Sequence, residues 1–231
     1  MFKTAQSLAS YHLKFTLALF IVLLSFATPS TTFGQNAKDP GAKAILDGLY
    51  TKYSKMPAWE ATYEHSSETA SGKIFSKQDG KILVSGKKYS IALPTFQIIC
   101  DGKTIWTYNK EVNEVNISAY APEDDEITPD QIFGLYRKGY KYILMGELKS
   151  KTGIVQTIDL EPEDITKEIV KVRLIINKAD ATLKKWMIYE RGTSNRQIFV
   201  VKSFVPNAKF APSRLAFSKA NFPGAKIVDL R

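Results

Sequence analysis

Few side chains in this sequence are equipped for covalent chemistry. The 231 residues include two histidines, His12 and His65, and one cysteine, Cys100. A serine triad needs an imidazole base, and His12 lies in an apolar leader, so His65 is the sole candidate. It continues the phase of Trp59, Ala61 and Tyr63, which reads as a strand residue near a sheet edge. Cys100 closes an apolar run just before a turn, the setting of a buried thiol rather than a nucleophile. A lone thiol forms no internal disulfide and no cysteine zinc site. Glu60 and Glu64 share a strand face and could serve a hydrolase as a carboxylate pair. The run Glu123-Asp124-Asp125-Glu126 offers oxygens to calcium but lacks the glycine and spaced carboxylates of a calcium loop. Glu161, Glu163, Asp164 and Glu168 form a second acidic patch, and both stretches read as solvated connections. G-x-S-x-G, H-E-x-x-H, C-x-x-C and a Gly-rich phosphate loop are all missing. No catalytic, cofactor-binding or metal site is therefore assigned, and a non-enzymatic protein is expected.

What remains is apolar surface, 44% of the residues by type. The elements that carry it follow from periodicity. Residues 1–34 order themselves as a signal peptide: a start with Lys3, an apolar run Leu13 to Phe26, then small and polar residues up to Gly34. The apolar run is too short to span a bilayer comfortably. No cysteine lies near the cleavage region, so the mature chain is not itself a lipoprotein. Cleavage would take the 32 basic residues to 30 against 23 acidic ones, lowering the net charge from +9 to +7 by loss of Lys3 and Lys14. The expected organisation is a signal peptide, 1–34, and one domain, 35–231, in the periplasm. Export and the absence of an Arg-rich or aromatic RNA-binding signature argue against nucleic acid. The positive charge could instead guide docking to an acidic partner or membrane surface.

Asp39-Pro40 predicts a helix start, with Asp as cap and Pro in the first turn. Ala42, Ile45, Leu46, Leu49, Tyr50 and Tyr53 then recur at helical spacing until Pro57. From Trp59 the period is two. Alternating runs at 59–65, 82–93, 95–100, 104–108, 115–119, 142–148, 154–160, 170–176, 183–189 and 197–204 predict strands, with 215–217 as a last short one. Asp101-Gly102 marks a hairpin, and such tight connections require antiparallel neighbours. Thr128-Pro129-Asp130-Gln131 predicts a capping box opening an amphipathic helix that carries Ile132, Phe133, Leu135, Tyr136 and Tyr140 and ends at Gly139. A mainly β chain with two or three helices is expected, its strongly curved antiparallel sheet closing incompletely and covered by the helices. Trp59, Tyr63, Tyr89, Ile91, Phe96, Ile98, Trp106, Tyr108, Phe133, Tyr136, Trp186 and Phe199 are the candidates to line a cavity between sheet and helices.

The segment Cys100-Asp-Gly-Lys-Thr-Ile-Trp-Thr-Tyr-Asn109, followed by Glu111-Val-Asn-Glu-Val115, resembles the LolA family of periplasmic outer-membrane lipoprotein carriers, in the form found in Bacteroidetes-type bacteria. Asp101, Gly102, Lys103, Thr104, Trp106, Tyr108 and Asn109 match the family's hairpin, which is structural. The order of signal peptide, helix, β-meander, mid-chain helix and further strands is similar too. The resemblance implies an unclosed β-barrel with a helical lid and an apolar cavity for acyl chains. It implies a monomer that takes lipoproteins from an inner-membrane releasing transporter to an outer-membrane acceptor. The family's enterobacterial type ties the lid with an Arg on an early strand. The corresponding stretch here, Gly72 to Leu93, holds Lys77, Lys81, Lys87 and Lys88 and no Arg. A binding protein for another lipid or hydrophobic small molecule is the alternative on the same fold.

Overall fold

The structure, a computed structural model, describes residues 38–121, 127–129, 131–151 and 153–231. The leader expected at 1–34 and the acidic run 123–126 lie outside the described residues. The first helix starts where the sequence places its cap. Helix α1 spans Pro40–Ser54, with Asp39 at its N-cap. One carboxylate oxygen of Asp39 accepts from the N–H groups of Gly41 and Ala42 at 2.7 and 3.3 Å, and the other accepts from Leu144 N–H at 3.0 Å. The cap therefore also docks the helix on a strand. The Leu144 bond, with those from Gly41 and Ala42, holds the carboxyl below the usual carboxylate range against the opposing effect of burial. Ala42, Leu46, Leu49 and Tyr53 form the buried stripe of α1.

Among the described residues twelve strands follow: β1 Trp59–Glu68, β2 Ile74–Ser85, β3 Lys88–Ala92, β4 Phe96–Cys100, β5 Thr104–Asn109, β6 Glu114–Ala119, β7 Tyr140–Ser150, β8 Gly153–Pro162, β9 Ile169–Asn177, β10 Thr182–Glu190, β11 Arg196–Pro206 and β12 Lys226–Asp229. They form one sheet in the order β12-β6-β5-β4-β3-β2-β1-β11-β10-β9-β8-β7. Two meanders, β1 to β6 and β7 to β11, meet along the long β1–β11 pairing. The outer strands β7 and β12 do not pair, so the curved sheet stays open, as expected.

At the Asp101-Gly102 turn, Asp101 Oδ1 accepts from Lys103 N–H and Thr104 N–H, both at 2.8 Å, while Gly102 takes φ +90°. Only glycine adopts that backbone without strain. Cys100, fully buried, accepts from Gly102 N–H at 3.3 Å, so the thiol is part of the same turn.

Several expectations need correction: the run 82–93 is split by a turn into the end of β2 and the strand β3, β2 begins earlier at Ile74, and Tyr140 opens β7 rather than riding on the mid-chain helix. His65 is not near a sheet edge, because β1 lies in the middle of the strand order. The proposed strand at 215–217 is instead a 3-10 turn, Pro212–Leu215, and the last strand is β12, which pairs parallel with β6. That pairing is parallel because the tail leaves β11 near the middle of the sheet and returns across its outer face. Finally, among the described residues no backbone N–H bonds to the Thr128 hydroxyl. The Thr128 carbonyl accepts from Gln131 and Ile132 N–H, and the hydroxyl is buried under Tyr120. The element it precedes is a 3-10 helix, Ile132–Arg137, shorter than the helix expected there and ending just before Gly139 at φ +70°.

Candidate functional site

The pairing register sorts side chains onto two faces. Tyr63 stands opposite Gly80 on β2 and Val201 on β11, and His65 opposite Phe199. Trp186 stands opposite Phe199, and Ile91 opposite both Ile82 and Ile98. These residues share the inner face. Gly80 permits the arrangement: a Cβ there would lie 2.4 Å from the Tyr63 ring, so the ring lies flat across the glycine.

Between the inner face and the 3-10 helix is a hollow of about 550 Å³. Eight of the twelve candidates line it: Trp59, Tyr63, Tyr89, Ile91, Ile98, Phe133, Trp186 and Phe199. One wall is an aromatic stack, with Trp186 and Phe199 parallel at 4.6 Å and Tyr63 within 6.5 Å of both. The opposite corner is Phe133 stacked on Tyr53 at 3.7 Å and set edge-on to Trp59 at 5.8 Å. Few polar groups reach the lining, among them Thr107, Ser118 and Thr128. Burial pushes the hydroxyls of Tyr53 and Tyr63 up to about 12, so both stay neutral.

Four candidates lie elsewhere. On β5, Ile105 pairs with Cys100 and Thr107 with Ile98. Ile105 and Thr107 therefore face inward, and Trp106 and Tyr108 face out. There they meet the C-terminal tail: Phe217 stacks on Trp106 at 5.4 Å, and Phe222 packs on Tyr108 at 4.8 Å. Phe96 sits at the start of β4, opposite Asn109, beyond the hollow. Tyr136 turns away from the hollow toward α1 and β7. Its hydroxyl donates to Asp47 at 2.5 Å and its ring meets Tyr142 edge-on. Lining residues not among the candidates include Ile82, Ile105, Ile132, Ile188, Val201 and Phe204. Ile82 follows the inward phase of its strand, a signal available in the sequence. Val201 keeps the inward phase of Phe199, whereas Phe204 lies beyond the bulge between the Thr62 and Tyr63 pairings, which shifts its phase.

The 3-10 helix is tied to α1 and, through Phe133 against Trp59, to β1. Besides the Tyr136–Asp47 bond and the Phe133–Tyr53 stack, the Arg137 guanidinium sits 4.6 Å above the Tyr50 ring.

The chemically capable groups are all engaged elsewhere. His65 bridges Gln197 at 2.8 Å and Gln78 at 3.3 Å and stacks on Phe199. Glu60 pairs with Lys81 and Arg214 at 2.8 and 2.7 Å, and Glu64 with Lys77 and Lys202 at 3.0 and 2.7 Å. Bonds from Lys81 and from Lys202 lead in holding the two carboxyls below the usual range. A general acid needs the opposite shift. The acidic patch at 161–168 is a turn in which Asp164 accepts from Thr166 and Glu163 pairs with Lys38 at 2.8 Å. Among the described residues no group of His, Cys, Asp and Glu could hold a metal ion, and no helix is long and apolar enough to cross a membrane.

Residues 89–218, more than half of the chain, match a family described as outer membrane lipoprotein carrier protein LolA. No curated protein matches the chain. Among solved structures, an uncharacterized conserved protein from Thermus thermophilus superposes with a TM-score of 0.56 at 14% identity, covering 82% of this chain and 99% of that one. A LolA superfamily protein from Nitrosomonas europaea gives 0.41 at 10% identity, over 78% and 98%. The Mycobacterium tuberculosis lipoprotein LppX gives 0.44 at 9% identity, over 75% and 98%. The Thermus likeness is one of fold.

Proposed function

The chain belongs to the LolA family of outer membrane lipoprotein carrier proteins, and from that premise we propose that it binds lipoprotein acyl chains in its hollow and ferries them from inner to outer membrane. The observation that carries this reading is the hollow itself, about 550 Å³ walled by aromatic and branched side chains where a filled core would otherwise lie. Each CH₂ removed from water contributes about 0.8 kcal/mol, so shielding one long acyl chain is worth on the order of 10 kcal/mol. A lipoprotein crossing an aqueous compartment needs such a cover. The reading also includes residues 1–34 as a cleaved signal peptide, residues 35–231 as the carrier domain, a periplasmic location, and exchange with an inner-membrane transporter and an outer-membrane acceptor. Binding alone is required, which agrees with the engaged state of His65, Cys100, Glu60 and Glu64.

The test is displacement of a fluorescent acyl probe from the purified protein and from Ile98→Asp and Phe199→Asp variants, which place a carboxylate on two different walls. Both variants should keep their circular dichroism spectrum and lose the probe. Undiminished binding in folded variants would sink the reading. The volume also suits a single small ligand, which favours free lipid as the second reading. Native mass spectrometry of protein from its own host separates the two: a bound lipoprotein supports the carrier, a bound free lipid the alternative.

A further inference from the structure

Beside the hollow, on the outward side of the Phe133–Tyr53 stack, lies a second space of about 510 Å³. Tyr53, Trp59, Pro129 and Phe133 line both, so the two are neighbours separated by that aromatic partition. Their chemistry differs. The second space is a groove between the C-terminal half of α1, the β2–β3 turn and the 3-10 helix, and Lys87, Arg137 and Lys138 line it. Among the described residues no carboxylate does. Several basic side chains near the strands are neutralised by ion pairs, as Lys77, Lys81, Lys202 and Arg214 are. The groove cations are held differently. Lys138 donates to the neutral Gln131 at 2.6 Å, and Arg137 lies over the Tyr50 ring. Three exposed cations thus converge on one concave site with no acid among its described lining residues.

We propose that this groove binds the anionic headgroup, phosphate or carboxylate, of an amphiphile whose chain occupies the hollow. The inference rests on the acyl-binding reading above in its free-lipid form and adds the class of headgroup. The Arg137 guanidinium offers a planar fork to two oxygens of such a group, and the two lysines act as point charges. Because the partition residues border both spaces, a chain threading past Phe133 leaves its polar end beside the cations. Exposed pairs are individually weak, each changing affinity by about a few-fold, so the groove selects among amphiphiles while the hollow supplies most of the affinity.

The experiment compares a twelve-carbon alkyl phosphate with the twelve-carbon alcohol, both below their aggregation limits, on the full chain and on a Lys87→Gln, Arg137→Gln, Lys138→Gln triple variant. The readout is the phosphate-to-alcohol affinity ratio within each protein, so any change in lid opening cancels. The native protein should prefer the phosphate by about tenfold at low salt, with the preference shrinking as salt rises. The triple variant should bind the two within about twofold of each other. Equal binding by the native protein, or a preference that survives the triple substitution, overturns the headgroup site while leaving the acyl reading intact. If neither amphiphile binds the native protein, the acyl reading fails and this one with it. Inorganic phosphate is the last arm. No competition at millimolar concentration supports a headgroup site, whereas displacement of the alkyl phosphate as effectively as by a second alkyl phosphate would make the groove a free-phosphate site and overturn the proposal.

Discussion

Phe133→Leu should strengthen acyl binding while weakening the fold. In the structure Phe133 stacks on Tyr53 with centroids 3.7 Å apart and rings 14° from parallel, and meets Trp59 edge-on at 5.8 Å and 76°. Aromatic pairs contribute about 0.5–1.5 kcal/mol beyond the area they bury, and near-superimposed faces sit at the low end because their quadrupoles repel. The Tyr53 pair is therefore assigned about 0.5 kcal/mol and the Trp59 pair about 1 kcal/mol. Leucine keeps much of the apolar area and removes both, so opening of the 3-10 helix should become easier by about 1.5 kcal/mol, roughly tenfold. If the ligand binds only to the open form, apparent affinity scales with the fraction open. The dissociation constant for a fluorescent acyl probe should then fall about tenfold, and the melting temperature by about 3–6 °C. Hydrogen exchange at Gly134 and Lys138, whose N–H groups donate to Gln131 and Leu135 at 2.9 and 3.0 Å, should accelerate by the same factor. Faster exchange with unchanged or weaker probe binding would refute the idea that this helix gates the hollow.

Gly80→Ala would put a methyl 2.4 Å from the Tyr63 ring and push that ring off β2 into the hollow. Overpacking should cost about 1–3 kcal/mol in denaturant titrations and reduce probe capacity, and Tyr63→Ala should restore both. Asp159, 2% exposed, holds Arg173 through two bonds of 2.5 and 2.6 Å. Arg173→Met should lose up to about 3–5 kcal/mol by leaving the buried carboxylate with only Lys171 at 3.9 Å, with the Asp159→Leu, Arg173→Met pair recovering most of it in a double-mutant cycle. Asp39→Ala should cost about 1–2 kcal/mol as a lost helix cap. Because the folded carboxyl of Asp39 titrates below its ordinary value, its contribution is complete above that ordinary value and fades as pH falls through the lower folded one. Asp39→Asn should flatten this part of the acid limb, read as midpoint against pH by chemical denaturation, and an unchanged limb would remove Asp39 from the account.

Local signals carried much of the architecture. Asp39-Pro40 marks α1 because a cap acceptor and a preset φ act within three residues. Asp101-Gly102 marks its hairpin because a positive φ and an Asx acceptor are equally local. Alternation located most strands, since one face of each meets the core. The 3-10 helix was legible as a helix but not in its type, because its end is governed by contacts with α1 rather than by its own caps. Strand β12 was invisible for a similar reason: four residues pair with β6 only because a long tail brings them there.

For the candidate site the division is sharper. The scarcity of Cys and His turned attention to apolar surface, and periodicity settled that β5 has two faces. It could not say which face is inner. Both faces of β5 are apolar, Ile105 on one and Trp106 on the other, and only the register with β4 and the tail packing of Phe217 and Phe222 decide it. The hollow itself was beyond reach of the sequence, because a filled core and an open one use the same side chains. Emptiness is set by how far apart curvature and the α1 contacts hold the sheet and the 3-10 helix, a property of distances that alternation does not encode.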